Sequence, residues 1–431
     1  MINRRYHILE EIGHGAMGTV YHALDRLTGQ DVALKRVMPQ VAGVVPAAND
    51  DKSGSRTGST ASLYTIHPDP TGQTTGDQTL ISSGSPGSTS DTRLALAREF
   101  RLLSSLHHPN IIRVLDYGFE DHQLPFYTME RVPEPLSVLD AAQTEPLEVK
   151  IGLLIQMLQA LAYLHRRGVI HRDIKPSNAL VDGDQLKLLD FGISELREQS
   201  ASQDGITGTI SYMAPELLQG QAASEASDLF AVGVVAYQLL TGRHPFMAPS
   251  LTLMMVNITK GAADLDVPDI DARLLPVIKG LLANGAGERY DDAQKVIADL
   301  SSALGLPLPR ESAAIRDSFL KAARLVGRRR EMSKLAEHLS KALVGLGVGV
   351  VIGGESGVGK TRLLDELRTL ALVKGALVLD GQDVRQGGSP YQVWRQPLRR
   401  LCLELELDDE TARDLLPLVP DLPELLGREL E

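Results

Sequence analysis

His171-Arg172-Asp173-Ile174-Lys175-Pro176-Ser177-Asn178 stands directly after a long helical pattern, and Asp190-Phe191-Gly192 follows a short strand pattern, Leu186 to Leu189. Both polar runs therefore fall on loops at the ends of buried elements. Upstream, Leu147 to Arg166 carries Ile151, Leu154, Ile155, Leu158, Leu161 and Leu164 in helical register, which predicts a helix with a buried face. Earlier still, Y-H-I-L-E-E-I-G, G-T-V-Y-H-A and D-V-A-L-K-R-V, between Arg5 and Met38, alternate apolar and polar residues around glycines. They predict three short antiparallel strands. Two strand-like runs, Ile111 to Tyr117 and Phe126 to Arg131, precede the long helix, and helical patterns run from about Glu216 to Leu304. Strands first and helices second predict an α+β unit with a small β-rich lobe and a larger helical one.

The 431 residues leave room for two or three domains. With 43% hydrophobic and 23% charged residues, collagen-like, wholly disordered and polytopic membrane classes are excluded. A net charge of -11 argues against a main role in coating nucleic acid or anionic lipid. Cys402 stands alone, so neither an intrachain disulfide nor a Cys-rich zinc site can form, which fits a reducing cytosol. The N-terminal M-I-N-R-R-Y-H-I-L-E has no apolar h-region, and the most apolar run, Val344 to Ile352, is too short to span a bilayer. A soluble, cytoplasmic protein with neither nucleic-acid nor membrane partners is expected.

From about Ala47 to Thr92 the chain is mostly Ser, Thr, Gly, Asp and Pro, and cannot bury enough surface to offset its ordering entropy. A disordered insertion is predicted there. Order resumes with the helical pattern L-A-L-A-R-E-F-R-L-L-S-S-L, which ends before His107-His108-Pro109. Pro307 and Pro309 break the later helices, and a second unit starts near Leu325. It reads as a helix (V-G-R-R-R-E-M-S-K-L-A-E-H-L), a buried strand (V-G-V-V-I), a glycine loop, a helix from Lys360 and a strand at Ala376 to Asp380. That order is the β-loop-α-β start of a parallel sheet. Boundaries of 1–303, a linker at 304–324 and a partial second domain at 325–431 follow. Trp394 and the scattered methionines read as core residues.

Gly13-His14-Gly15-Ala16-Met17-Gly18-Thr19-Val20 lies between two strand patterns, whereas a dinucleotide fingerprint needs a helix after its glycines. A hairpin folding over phosphates fits better, because its glycines let backbone N–H groups approach the oxygens. V-A-L-K, ending at Lys35, follows in the third strand. By itself a strand lysine is a solvated charge. Together with His171 to Asn178 and Asp190-Phe191-Gly192, these runs match, in order and context, the parts of a protein-kinase template. Residues 1 to 303, including Ala214-Pro215-Glu216, resemble the eukaryotic-type protein kinases found in bacteria.

The resemblance implies a bilobal kinase fold that transfers the γ-phosphoryl group of ATP, with Mg²⁺. By it, Asp173 orients the acceptor hydroxyl, Lys175 stabilises the γ-phosphate, and Asn178 and Asp190 hold the metal. Lys35 pairs with Glu99. Gly13, His14, Gly15, Ala16, Met17, Gly18 and Val20 cover the nucleotide, Met129 gates the adenine pocket, and Glu130 to Val132 form the hinge. Phosphoryl transfer through a loose transition state needs alignment and charge neutralisation more than covalent help, which suits this set. Lys175 and G-T-I-S-Y-M-A-P-E at Gly208 to Glu216 resemble the serine/threonine branch, so Ser/Thr of proteins are the expected acceptors. Arg172 beside Asp173 implies control by a phosphate on the activation segment. Thr207 is the favoured autophosphorylation site, ahead of Ser200, Ser202 and the Ser/Thr-rich insertion; Thr209 looks structural. Asp228, Gly233 and the pair Glu216–Arg289 are expected to be structural. A dimer is left open.

Gly354-Glu355-Ser356-Gly357-Val358-Gly359-Lys360-Thr361 satisfies the P-loop pattern. Its backbone N–H groups and helix N-terminus suit phosphates, with Lys360 on the β/γ oxygens and Thr361 on Mg²⁺. Gly354, Gly357 and Gly359 let the loop close. Leu325 to Glu431 resembles the start of the AAA-type ATPase module of large bacterial signalling proteins. No apolar strand ending in Asp-Asp or Asp-Glu follows. A truncated product or the N-terminal piece of a longer protein is therefore expected, and residues 305–431 alone should hydrolyse ATP poorly. The alternative reading is an NTP-dependent signalling scaffold that uses the kinase fold as an adaptor.

Overall fold

The computed structural model describes residues 2, 4–15, 18–36, 97, 100, 103–120, 124–190, 210–263, 265, 270–308, 315, 327–383 and 391–430. Glu99, Ala16, Met17, Thr207, Thr209, Ser200, Ser202 and the insertion at 47–92 lie outside the described residues, as do Phe191 and Gly192.

The N-terminal alternation folds as predicted. β1 (Tyr6–Gly15), β2 (Gly18–Asp25) and β3 (Gln30–Arg36) are consecutive antiparallel strands. β4 (Val114–Glu120) and β5 (Leu124–Glu130) complete a sheet of order β1-β2-β3-β5-β4. Its far face buries Ile2, Tyr6, Ala23, Val32, Leu34 and Phe126. Beneath Tyr6, the Arg5 guanidinium spans Asp25 at 2.8 and 2.9 Å and Asp116 at 2.5 Å, tying the chain just before β1 to both β2 and β4. β4 starts and ends three residues later than the periodicity suggests, because the chain first makes a parallel bridge, Ile111 to Leu188, to the helical lobe.

The helical lobe forms around α1 (Leu147–His165), whose Ile151, Leu154, Met157, Leu158, Leu161 and Leu164 are buried. By length and composition α1 could cross a membrane; it is instead the core helix of this lobe. Around it are a small sheet, β6 (Leu136–Ser137), β7 (Ala179–Asp182) and β8 (Gln185–Leu188), and the helices α2 (Pro215–Leu218), α3 (Glu225–Thr241), α4 (Leu251–Lys260), α5 (Leu275–Leu281) and α6 (Ala293–Leu304). α1 packs against α3 and α6. Ser224 opens α3 with a capping box and Gly242 closes it in the left-handed conformation, φ 69°.

Gly233 sits inside α3, where helix propensity alone favours alanine by about 1 kcal/mol. Packing decides the other way, because a Cβ at 233 would stand 2.8 Å from Leu281 Cβ and 3.1 Å from Leu282 Cδ2. Gly233→Ala is therefore expected to destabilise by about 1–3 kcal/mol, through the forced separation of α3 and α5. A urea midpoint equal to or above the parent's would show that this contact relaxes freely.

His108, 7% exposed, accepts the Asn110 N–H on Nδ1 at 3.1 Å, while Nε2 has no partner among the described residues. Burial, with Lys187 adding to it, pushes its imidazolium down to about 4. The unfolded chain, at about 6.5, binds the proton first. Stability contributed by neutral His108 is thus full above about pH 6.5 and is lost as pH falls toward 4, about 2 kcal/mol of it by pH 5. His108→Gln should flatten this part of the pH dependence of the urea midpoint between pH 7 and pH 5; an unchanged slope contradicts it.

Past residue 327 the helices α7 (Arg329–Ala342) and α8 (Lys360–Val373) stand where the sequence places them. The strands predicted at V-G-V-V-I and Ala376 to Asp380 do not form. Neither run has a ladder, and Val351 is 96% exposed. A parallel strand holds only against a hydrogen-bonded neighbour, and among the described residues these two runs have none. α9 (Gln392–Glu404), α10 (Asp409–Leu415) and α11 (Leu422–Leu426) enclose a small core of Cys402, Leu403, Ala412, Val419, Leu422 and Leu425. Trp394 is not in it, being 58% exposed on α9, and Met247 is likewise exposed; both correct the expected core.

Candidate active site

Sheet register gathers the residues expected to face the nucleotide. Val20 pairs with Lys35 across β2–β3, Lys35 with Tyr127 and Ala33 with Met129 across β3–β5. Because side chains alternate, Val20, Ala33, Lys35, Tyr127 and Met129 share one face of the sheet. Gly13, His14 and Gly15 pair with Val20, Thr19 and Gly18 at the tip of the β1–β2 hairpin. Gly18 has φ 141°, and His14 Nδ1 lies 3.0 Å from Thr19 Oγ1. Glu130 ends β5, with Oε1 receiving Lys187 Nζ at 2.7 Å and the Arg113 N–H at 3.0 Å; Val132 follows, half-buried. Ala33 and Tyr127 were not singled out from the sequence, although Ala33, two residues before Lys35, must share its face.

Opposite that face, the loop after α1 is shaped by Asp228. Its carboxylate accepts the backbone N–H groups of His171 and Arg172, both at 2.8 Å, and stands 2.9 Å from His165 Nε2. These bonds hold Arg172 at φ 69°, a conformation a non-glycine residue adopts only when its surroundings impose it. His165 was also missed in the sequence, where it reads as the end of an apolar helix. His171 is wholly buried, and burial lowers its imidazolium below the ordinary range against the opposing pull of Asp228, Asp173 and Asp190.

Asp173 comes next, 3% exposed. Its Oδ2 accepts Asn178 Nδ2 at 2.7 Å and lies 3.1 Å from Lys175 Nζ. Asn178 Nδ2 also donates to the Asp173 carbonyl at 2.9 Å, so the amide hydrogens are committed and Oδ1 is the atom Asn178 can offer a cation. The Leu189 N–H bonds the Asn178 carbonyl at 2.9 Å, which fixes the residue before Asp190 beside Asn178. Asp190, at φ 44°, meets Lys35 Nζ through Oδ1 at 2.7 Å. The structure thus brings together Asp173, Lys175, Asn178, Asp190 and Lys35. An amide oxygen and a carboxylate form the hard, all-oxygen donor set that suits Mg²⁺.

Away from this cleft, Glu216 at the start of α2 receives Arg289 through both oxygens at 2.7 and 2.8 Å, and the guanidinium lies 4.9 Å from the Phe230 ring centroid. The P-loop glycines take the conformations that closure requires, Gly357 at φ 83° and Gly359 at φ 88°. Gly354 has φ 159°. Lys360 Nζ donates to the carbonyls of Gly354 at 2.9 Å and Glu355 at 2.6 Å. Thr361 is exposed in the first turn of α8.

A five-stranded antiparallel sheet above a helical lobe, with a buried lysine joined to a loop carboxylate, is the architecture of protein kinases. A family model described as a protein kinase domain matches residues 58–297, more than half of the chain, and the chain belongs to that family. One described as an AAA ATPase domain matches residues 324–429. The glycine hairpin and Lys35 precede the first matched interval, so their place rests on sheet register. Among curated relatives, serine/threonine-protein kinase PrkC of Bacillus subtilis is 28% identical over 70% of this chain and 41% of its own length. Serine/threonine-protein kinase pkn3 of Myxococcus xanthus is 33% identical over 53% of this chain and 49% of its own. For pkn2 of the same organism the identity is 35%, over 48% and 26%. The chain spans less than half the length of these relatives.

Proposed function

We propose that the chain is an ATP-dependent serine/threonine protein kinase acting in the cytosol on protein substrates and on itself. The observation that carries this reading is the single cluster of Lys35, Asp190, Asn178, Asp173 and Lys175 in the cleft between the lobes. Lys35, buried and joined to Asp190, presents an ammonium to phosphate oxygens on the face shared with Val20, Ala33 and Met129. Asp173 accepts a hydrogen bond from the acceptor hydroxyl and aims its oxygen. Lys175, already on the Asp173 carboxylate, neutralises charge on the transferring oxygens. Asn178 and Asp190 would hold Mg²⁺, which when bound would offset the phosphate charge. Alignment and charge then supply the rate with no covalent intermediate.

Residues 1–303 form the kinase unit in this reading, 304–324 the linker and 325–431 a nucleotide-binding P-loop unit. Incubating the full chain with Mg²⁺-ATP and mapping phosphosites by mass spectrometry tests the proposal. Phosphate is expected on Thr207 or within residues 47–92 of the parent, and on neither in Lys35→Met. Labelling of neither protein, with or without an added protein acceptor, would transfer support to the scaffold reading.

A further inference from the structure

The P-loop unit does not stand apart from the kinase unit. α8, whose first residue is the P-loop Lys360, packs its other end on β4. Leu372, 4% exposed, belongs to the kinase's main core, and Val373 and Val378 pack against it. Thr369 Oγ1 lies 3.5 Å from Ser104 Oγ. Arg400, from α9, reaches Asp116 at 3.0 Å, the same carboxylate oxygen that receives Arg5. Arg26 donates to the Leu425 carbonyl at 2.6 Å, and Leu27 packs on the core of α9 to α11.

One line of packed rings continues from this contact to the nucleotide-facing lysine. Gly375 lies against Phe119, where a Cβ would stand 3.5 Å from the ring. Phe119 meets Tyr117 edge-on at 5.4 Å between centroids, Tyr117 meets Phe100 at 4.8 Å, and Phe100 meets Tyr127 at 6.5 Å. Tyr127 carries Lys35 Nζ 5.7 Å from its ring centroid and is its partner in register. The helix between P-loop and β4 is a rod of 14 residues, about 21 Å long. At its N-terminus the Lys360 ammonium is held by the Gly354 and Glu355 carbonyls, bonds that phosphates drawing on that ammonium would compete with, so that the loop and the first residue of the helix share one set of contacts.

We infer that the P-loop unit is an internal regulator of the kinase, in which a nucleoside phosphate held at Gly354–Thr361 sets the position of Lys35 through α8, Phe119, Tyr117, Phe100 and Tyr127. This rests on the reading that the P-loop binds nucleotide and that the kinase is active. Coupling between sites through packed elements commonly amounts to fivefold or more in affinity.

The test uses the full chain in four forms: parent, Lys360→Ala, Phe119→Ala and the double variant. Kinase KM for ATP and kcat are measured on a generic Ser/Thr protein acceptor, and the number of bound nucleotides with fluorescent ADP. Lys360→Ala is expected to lower the stoichiometry from two to one and to shift the kinase KM or kcat by about fivefold. In the Phe119→Ala background the same substitution should shift neither. Phe119→Leu, which keeps apolar volume but removes the ring edge, replaces Phe119→Ala if the latter does not fold. Stoichiometry falling to one with kinase constants unchanged overturns the coupling alone. A parent that binds one nucleotide and is indifferent to Lys360→Ala overturns the P-loop reading and the coupling with it. An inactive parent that binds two overturns the kinase reading. A shift that survives loss of Phe119 overturns the route.

Discussion

Asp173→Asn is expected to slow phosphoryl transfer by about two to four orders of magnitude while leaving the fold and the KM for ATP close to the parent's. The side chain is 1% exposed and held from two sides, by Asn178 Nδ2 at 2.7 Å and Lys175 at 3.1 Å. An amide of the same shape keeps the volume and removes the negative charge. It no longer accepts strongly from the hydroxyl, and it releases Lys175 from its partner. Because the residues proposed to face adenine lie on β2, β3 and β5, the loss should fall on kcat rather than on ATP affinity. Initial rates with a Ser/Thr acceptor at saturating Mg²⁺-ATP read this directly. A variant retaining a third of the parent rate would remove Asp173 from the reaction.

The second large effect concerns stability. Arg289, with its side chain wholly buried, donates to both Glu216 oxygens, to the Ala283 carbonyl at 2.7 Å, to that of Ala226 at 3.1 Å and to that of Asn284 at 2.9 Å. Glu216→Ala leaves that cation in the core without its counter-charge, at a cost of about 3–5 kcal/mol. Replacing both residues by methionine should recover much of the loss, since no buried charge is then unpaired and the volume is kept. Urea unfolding of the three proteins distinguishes the cases. If Glu216→Ala costs no more than an ordinary surface change, the pair does not tie α2 to the segment before α6.

What could be read from the sequence followed the strength of local periodicity and the order of polar loops. The three N-terminal strands, α1 and α8 were legible because their apolar residues recur at spacings that belong to one element. Lys35, Asp173, Asn178 and Asp190 were legible because each stands in or soon after a recognisable element. Local pattern did not show their convergence, which the family resemblance alone implied, since it depends on β3 meeting the loops of the helical lobe across more than a hundred residues. The strands at 348–352 and 376–380 were misread for a related reason: an apolar run states a wish to be buried, and a ladder partner must be available to grant it. Arg5–Asp116–Arg400 and the Phe119-to-Lys35 line of rings were invisible, because ordinary charged and aromatic residues give no signal until three-dimensional packing places them together.

The chain joins two nucleotide motifs: a kinase cleft built from sheet register and loop carboxylates, and a P-loop whose helix rests on the kinase sheet. In the proposed function the cleft moves phosphate to protein hydroxyls. The most direct measurement offers the full chain Mg²⁺-ATP and a peptide mixture with Ser, Thr and Tyr acceptors in equal amounts, with Asp173→Asn run alongside. Mass spectrometry should find phosphoserine and phosphothreonine, no phosphotyrosine, and at matched times about a hundredth of the product or less from the variant. Phosphate on tyrosine, or labelling at a rate comparable to the parent's without the Asp173 carboxylate, would contradict it.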